Sequence, residues 1–172
     1  MNIYRPLTGG ISLNPTHIVV HCIGEFVKPS EAQCIELGIH FKDYHALEWL
    51  EKLGVSYHTL ITPSGDEINC RKTNMKAWHA KAQGFNHKSL GIGFMVAGVY
   101  NLETLKKRIK NPYLEGKQEY TGIDIVSSWR KQFNIPEKNI VKHSDIDLKK
   151  PDPGDGFPFD WFLKEVQRNI DS

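Results

Sequence analysis

No apolar run in this sequence approaches the roughly 20 residues that a helix needs to cross a bilayer, so membrane insertion is not expected. Cysteine is scarce. Cys22, Cys34 and Cys70 make an odd set of 3 with no close spacing, which leaves no disulfide framework to read. Charge is nearly balanced, and a net charge of +2 is too small to favour nucleic acid as a partner. The opening stretch Met1–Gly10 lacks a charged segment followed by an apolar one, so no secretory signal is expected. The chain is expected to be made in the cytoplasm, and any work outside it to need a separate release or export route. Heptads, internal repeats and linkers are missing too, and nothing specifies an oligomeric state. With 172 residues, 40% of them apolar and 24% charged, one globular domain with a real core is expected.

What is present divides into an arm and a domain. Residues 1–16, punctuated by Gly, Pro and Asn, predict an N-terminal arm with little regular structure, leaving 17–172 as the domain. His17–Cys22 is a β-branched apolar run of the kind that forms a buried strand. Pro29-Ser30-Glu31 offers a helix start. Tyr44, Leu47, Leu50 and Leu53 then recur at helical spacing until Gly54 closes the element. Val55–Thr62 and about Glu67–Cys70, joined by Pro63-Ser64-Gly65, read as a hairpin. Ser89–Ala97 is another buried strand whose glycines indicate close approach of backbone or ligand. Asn101–Tyr120 has no clear pattern, and its Lys106–Lys110 run reads as a solvated face. Thr121 is expected to cap a helix through Phe133, with Val126, Trp129 and Phe133 on one side. Phe159–Ile170 is a last helix that buries Phe162, Val166 and Ile170. Irregular alternation with one hairpin predicts an α/β fold: a single domain with a mixed central β-sheet flanked by helices.

The richest chemistry lies in Ile140–Gly154. A short apolar segment runs into His143, and Asp152 follows in a Pro-Asp-Pro-Gly turn with Lys150 two positions before it. The prolines on both sides forbid helix and stiffen the loop that carries the carboxylate. A cation beside an anion there makes sense if Asp152 binds a metal and Lys150 faces a developing negative charge. A catalytic zinc usually takes three protein ligands and a water. The best third ligand is His21, which emerges at the carboxyl end of a buried strand. Cys22 points to the opposite face and reads as a buried thiol. His17 shares the face of His21 but lies too far along the strand to join it. His40, His45, His58 and His87 read as structural.

Taken in order, Ile-Val-Val-His21, Ser-Tyr57-His-Thr-Leu-Ile, Trp78-His79-Ala, Asn86-His-Lys-Ser-Leu-Gly-Ile-Gly, His143-Ser-Asp-Ile and Lys150-Pro-Asp152-Pro-Gly resemble the type 2 zinc N-acetylmuramoyl-L-alanine amidases. This family includes the phage lysozyme-amidases, and the peptidoglycan recognition proteins share its fold. The resemblance runs from about His17 to Trp161. It implies a mixed sheet with one Zn2+ in a surface groove, and hydrolysis of the amide between the lactyl group of N-acetylmuramic acid and L-alanine. The substrate would be peptidoglycan or a muropeptide, as for phage endolysins.

His21, His143 and Asp152 fall on the family's ligand positions, and Tyr57 and Lys150 on positions that its phage members use for catalysis. His79 is expected to line the groove and Asn86 to help hold the glycan-peptide, although Asn before a strand also serves turn chemistry. Gly93 is a departure, because amidases of the related recycling class carry a catalytic Glu there. Two alternatives stay open: a cytoplasmic amidase that recycles soluble anhydro-muropeptides, and a non-catalytic muropeptide-binding module. The complete ligand set and Lys150 favour an enzyme over the module.

Overall fold

The computed structural model describes residues 11–24, 57–98 and 100–172. The helical structure expected from Pro29 and over Tyr44–Leu53, together with Cys34, His40 and His45, lies outside the described residues. The strands are β1 (His17–Ile23), β2 (Thr59–Ile61), β3 (Glu67–Asn69), β4 (Ser89–Met95) and β5 (Ile140–Lys142), and they form one sheet in the order β3-β2-β4-β1-β5. β1 runs parallel to both β4 and β5, β2 runs parallel to β4, and only β3 is antiparallel. This is the mixed sheet expected, with the hairpin turning at Gly65 in the left-handed region (φ 84°). The helices among the described residues are α1 (Leu102–Arg108), α2 (Gly116–Phe133), α3 (His143–Ile146) and α4 (Phe159–Asp171).

Parallel strands covered on both faces read as unbroken apolar runs, and β4 is buried at every position. Alternation then divides the side chains between two layers. Ile18, Val20 and Cys22 of β1 and Leu90, Ile92 and Phe94 of β4 pack against Ile123, Val126 and Trp129 of α2 and Phe162 and Val166 of α4. Phe94 and Phe162 are wholly buried and meet edge to face at 5.9 Å, each burial stabilising by up to about 3 kcal/mol. Val19 faces the other way, into a smaller cluster with Ala80, Phe85 and Ile146. That second face is where His21 also emerges.

One expectation is corrected. α2 begins at Gly116, before Thr121, because its first turn must deliver Gln118 to the sheet. The buried Gln118 amide donates to the carbonyls of Ile61 (3.1 Å) and Met95 (2.8 Å), the last residues of β2 and β4. Thr121 is no cap; its hydroxyl donates to the Gly65 carbonyl at 2.8 Å. Residues 11–16 have little regular structure beyond an isolated Ser12–Met75 bridge, and backbone bonds attach them to the domain: Leu13 N–H donates to Asn74 O and Lys76 N–H to Ile11 O, both at 2.8 Å, and Leu13 is buried. Lys106, Lys107 and Lys110 are exposed, as a solvated face requires.

His58 is a wholly buried pin between β4 and the loop after β3. Its Nδ1 accepts from the Gly91 N–H (2.9 Å) and its Nε2 faces the Met75 carbonyl (2.9 Å), so the ring is neutral with its proton on Nε2. Burial chiefly lowers its pKa from 6.5 to about 4, against the Met75 bond and with help from Arg71. As pH falls, the unfolded chain takes up this proton first. The contribution of His58 is therefore complete above about pH 6.5 and is lost between there and about pH 4, on the order of 3 kcal/mol in all. Urea unfolding across that window should show His58→Asn, which keeps an acceptor for Gly91, losing less stability with acid than the native chain.

Candidate metal centre

The pairing of β1 with β5 sets Val20 opposite Lys142. The next residue on each strand, His21 and His143, therefore emerge side by side, with ring centroids 4.4 Å apart. His143 opens the single turn α3, and the Ser144 N–H donates to the Asp152 carbonyl at 2.9 Å, which ties the second residue to the loop carrying the third. The Nδ1 atoms of the two histidines lie 3.1 Å apart. Asp152 Oδ2 is 3.0 Å from each, and its Oδ1 is 3.0 Å from His143 Nδ1. His21 is wholly buried and the Asp152 side chain is 13% exposed.

These three side chains are the group among the described residues able to hold a metal ion. Two imidazole nitrogens and a carboxylate suit catalytic zinc, and edges of 3.0–3.1 Å approach the ~3.3 Å between neighbouring ligands of a tetrahedral ion with ~2.0 Å bonds. Burial alone would raise the Asp152 carboxyl, but its contacts with His143 and His21 hold it well below the usual range. Burial pushes the His21 pKa down despite the pull of that carboxylate. An ionised Asp beside a neutral His is the state that metal binding requires.

The Asp152 loop rests on the segment that had no readable pattern. Gly156 N–H donates to the Ile109 carbonyl (2.7 Å), and the buried Tyr113 hydroxyl donates to the Pro153 carbonyl (2.9 Å). A Cβ on Gly156 would lie 1.9 Å from the Asn111 carbonyl oxygen, and one on Gly154, at φ 80°, 2.5 Å from that of Ile109. The glycines after Pro153 were the only sequence signal of this shelf.

The remaining predicted residues surround His21 at different depths. Tyr57 is half-buried and meets the His21 ring edge-on at 5.1 Å. Lys150 is exposed on a turn closed by its N–H to the Asp147 carbonyl (2.9 Å), and its charge is felt at His21. His79 and Asn86 are both buried. His79 Nδ1 is 3.0 Å from His21 Nε2, and its own Nε2 faces Ser89. Asn86 Oδ1 accepts from the Ala80 N–H at 2.7 Å. Cys22 points into the helix-covered layer, where burial drives its thiol far above the ordinary range. At Gly93 a Cβ would meet Ile23 Cδ1 (2.6 Å) and Leu60 Cδ2 (2.7 Å), so apolar side chains fill the place of a strand carboxylate. A cavity of about 480 Å³, with Lys142, Ser144, Phe159 and Trp161 in its wall, borders the Asp152 loop at Pro151 and Gly154.

A family model described as N-acetylmuramoyl-L-alanine amidase matches residues 12–155, an interval that contains His21, Tyr57, His79, Asn86, His143, Lys150 and Asp152. Among solved structures, the endolysin N-acetylmuramoyl-L-alanine amidase LysCS from Clostridium intestinale URNW is similar with a TM-score of 0.66 at 19% identity, over 96% of this chain and 93% of that one. A selenomethionine derivative of AmpD gives a TM-score of 0.60 at 26% identity, over 89% and 85%. AmpDh3 from Pseudomonas aeruginosa, solved with anhydromuramic pentapeptide, gives 0.63 at 20% identity, over 95% of this chain and 64% of that one. A search of curated protein sequences yields no match.

Substitution tests the shelf under Asp152. Gly156→Ala should cost about 1–3 kcal/mol in urea unfolding, because its methyl meets backbone. Tyr113→Phe should cost about 1 kcal/mol, the net value of one buried hydrogen bond.

Proposed function

The chain belongs to the N-acetylmuramoyl-L-alanine amidase family, and we propose that it hydrolyses its peptidoglycan substrate with one zinc ion held by His21, His143 and Asp152. The observation that carries this reading is the triangle of two imidazole nitrogens and a carboxylate with edges of 3.0–3.1 Å. Zinc, when bound to such a set, lowers the pKa of a coordinated water to about 7 and polarises a carbonyl.

In the reaction the amide C–N bond breaks, the lactyl carbonyl gains the oxygen of water, and the L-alanine nitrogen leaves with a proton. Lys150 supplies a cation toward the carbonyl oxygen as negative charge develops there, a contribution of about 3–4 kcal/mol for a well-placed donor. The turn that closes on Asp147 supports this role, since it fixes the backbone of Lys150 close to Asp152. Tyr57 orients the attacking water and helps pass its proton toward the alanine nitrogen. A phenol with a reference pKa of about 10 is too weak a base to take that proton outright. The apolar filling at Gly93 supports a reaction that relies on these two residues instead of a carboxylate on β4.

No described helix is long and apolar enough to cross a membrane. The enzyme acts on the wall after release or export, as a phage lysis enzyme or a wall-degrading effector would.

Purified sacculi treated with zinc-loaded protein should yield free stem peptides beginning with L-alanine and glycan strands stripped of peptide, read by mass spectrometry, and chelation should abolish both. Asp152→Ala should lose zinc and activity together. Lys150→Ala should keep zinc while kcat falls roughly a hundred- to thousandfold. Zinc at full stoichiometry with intact sacculi but cleaved soluble anhydro-muropeptides would move the enzyme to a recycling role. Binding of both substrates with cleavage of neither would overturn the proposal.

A further inference from the structure

We propose that His79 is a positioning residue: it holds His21 in the tautomer whose Nδ1 can ligate metal, and Ser89, Gly91 and Asn86 build its seat. The inference rests on reading His21 as a metal ligand. It assigns His79 and Asn86 a role behind the ligand in place of contact with the glycan-peptide.

The chain of donors begins at Ser89. The Ser89 hydroxyl donates to the Phe85 carbonyl at 2.6 Å, so both the Ser89 carbonyl and the hydroxyl lone pairs are acceptors toward His79. They lie 3.2 and 3.3 Å from His79 Nε2, and that nitrogen therefore carries the proton. A buried ring whose described partners are a serine and another imidazole is neutral, so His79 Nδ1 is a lone pair. It sits 3.0 Å from His21 Nε2. His21 Nε2 must then be the donor, which leaves His21 Nδ1 bare, the atom that meets His143 Nδ1 and Asp152 Oδ2. A metal-ligating histidine ordinarily donates its other N–H to a fixed acceptor in this way.

The seat explains two residues that ligation alone does not. A Cβ at Gly91 would lie 2.4 Å from His79 Cγ, so the missing side chain is the slot into which the ring fits. Asn86 closes the loop beyond His79 twice, its backbone N–H donating to Ala80 O (2.8 Å) and its Oδ1 accepting from Ala80 N–H (2.7 Å). The residue that follows His79 is thereby locked in place. Without an acceptor at position 79, the buried N–H of His21 has no described partner. Its proton then gains by moving to Nδ1, where it blocks the metal.

The test measures zinc affinity by chelator competition, with steady-state kinetics on muropeptide at saturating zinc. His79→Ala should weaken zinc binding 10- to 100-fold. His79→Asn places an oxygen where Nδ1 was and should stay within about threefold of the native chain. His79→Gln moves its acceptor toward Ser89 and should behave like Ala. Gly91→Ala, which removes no polar group but displaces the ring, should also lose affinity, and it decides the matter if His79→Ala fails to fold. Unchanged zinc affinity with a raised KM in His79→Ala would overturn the inference in favour of substrate contact, as would equal behaviour of the Asn and Gln variants. A native chain that binds no zinc would instead sink the metal reading on which the inference stands.

Discussion

The site depends on one register: β1 lies between β4 and β5 so that His21 and His143 leave neighbouring strands at the same level. Side chains on a strand alternate with period two, so a slip of one residue would send His21 into the helix-covered layer and bring Cys22 to the face that carries His143 and Asp152. The large core prevents that slip. Ile18, Val20 and Cys22 are committed to the aromatic and aliphatic layer under α2 and α4, and moving them would expose all three together. The precision of the His21–His143–Asp152 triangle is thus set by the apolar packing on the opposite face of the same strand.

The two faces of the sheet do different physical work. The helix side is largely apolar, and the buried amide of Gln118 there donates to the carbonyls where β2 and β4 end. The site side carries His21, His58 and His79, all buried, in a region where each needs a defined proton position. Neutral imidazoles tolerate burial because each has one donor and one acceptor nitrogen and can be matched to a partner at both ends. His58 does so between Gly91 and Met75, within β4 and its surroundings, as His79 does between Ser89 and His21. Small residues on β4 make this possible. Gly91 admits a ring, while at Gly93 the space is closed by Ile23 and Leu60.

Much of this was legible in the sequence because buried parallel strands and turn chemistry have strong local signatures. His17–Cys22 and Ser89–Ala97 read as strands from continuous apolar character, and Pro151-Asp152-Pro153 fixed a loop without reference to anything distant. The hairpin and the last helix were equally local. The start of α2 was not, since what places it is the need of Gln118 to reach carbonyls on two other elements. The shelf at Ile109–Tyr113 was hidden for the same reason: its backbone meets the Asp152 loop through glycines, which carry no pattern of their own. His79 and Asn86 stood out as residues of interest, but whether such side chains face solvent or a ring behind them depends on packing that no local motif encodes.

The contact between His21 and Asp152 joins residues 131 apart in the chain, whereas His143 and Asp152 are only 9 apart and already tied by the Ser144 backbone bond. An ion held by all three would close the first strand onto the last loop, much as a long cross-link does, and would do so only in the folded state. Folding and metal occupancy would then be a single linked equilibrium. Above the dissociation constant, every tenfold drop in free metal would cost about 1.4 kcal/mol of global stability. A protein built this way senses the metal content of its surroundings through its lifetime as well as its turnover, and would become most open to proteolysis where the ion is scarce.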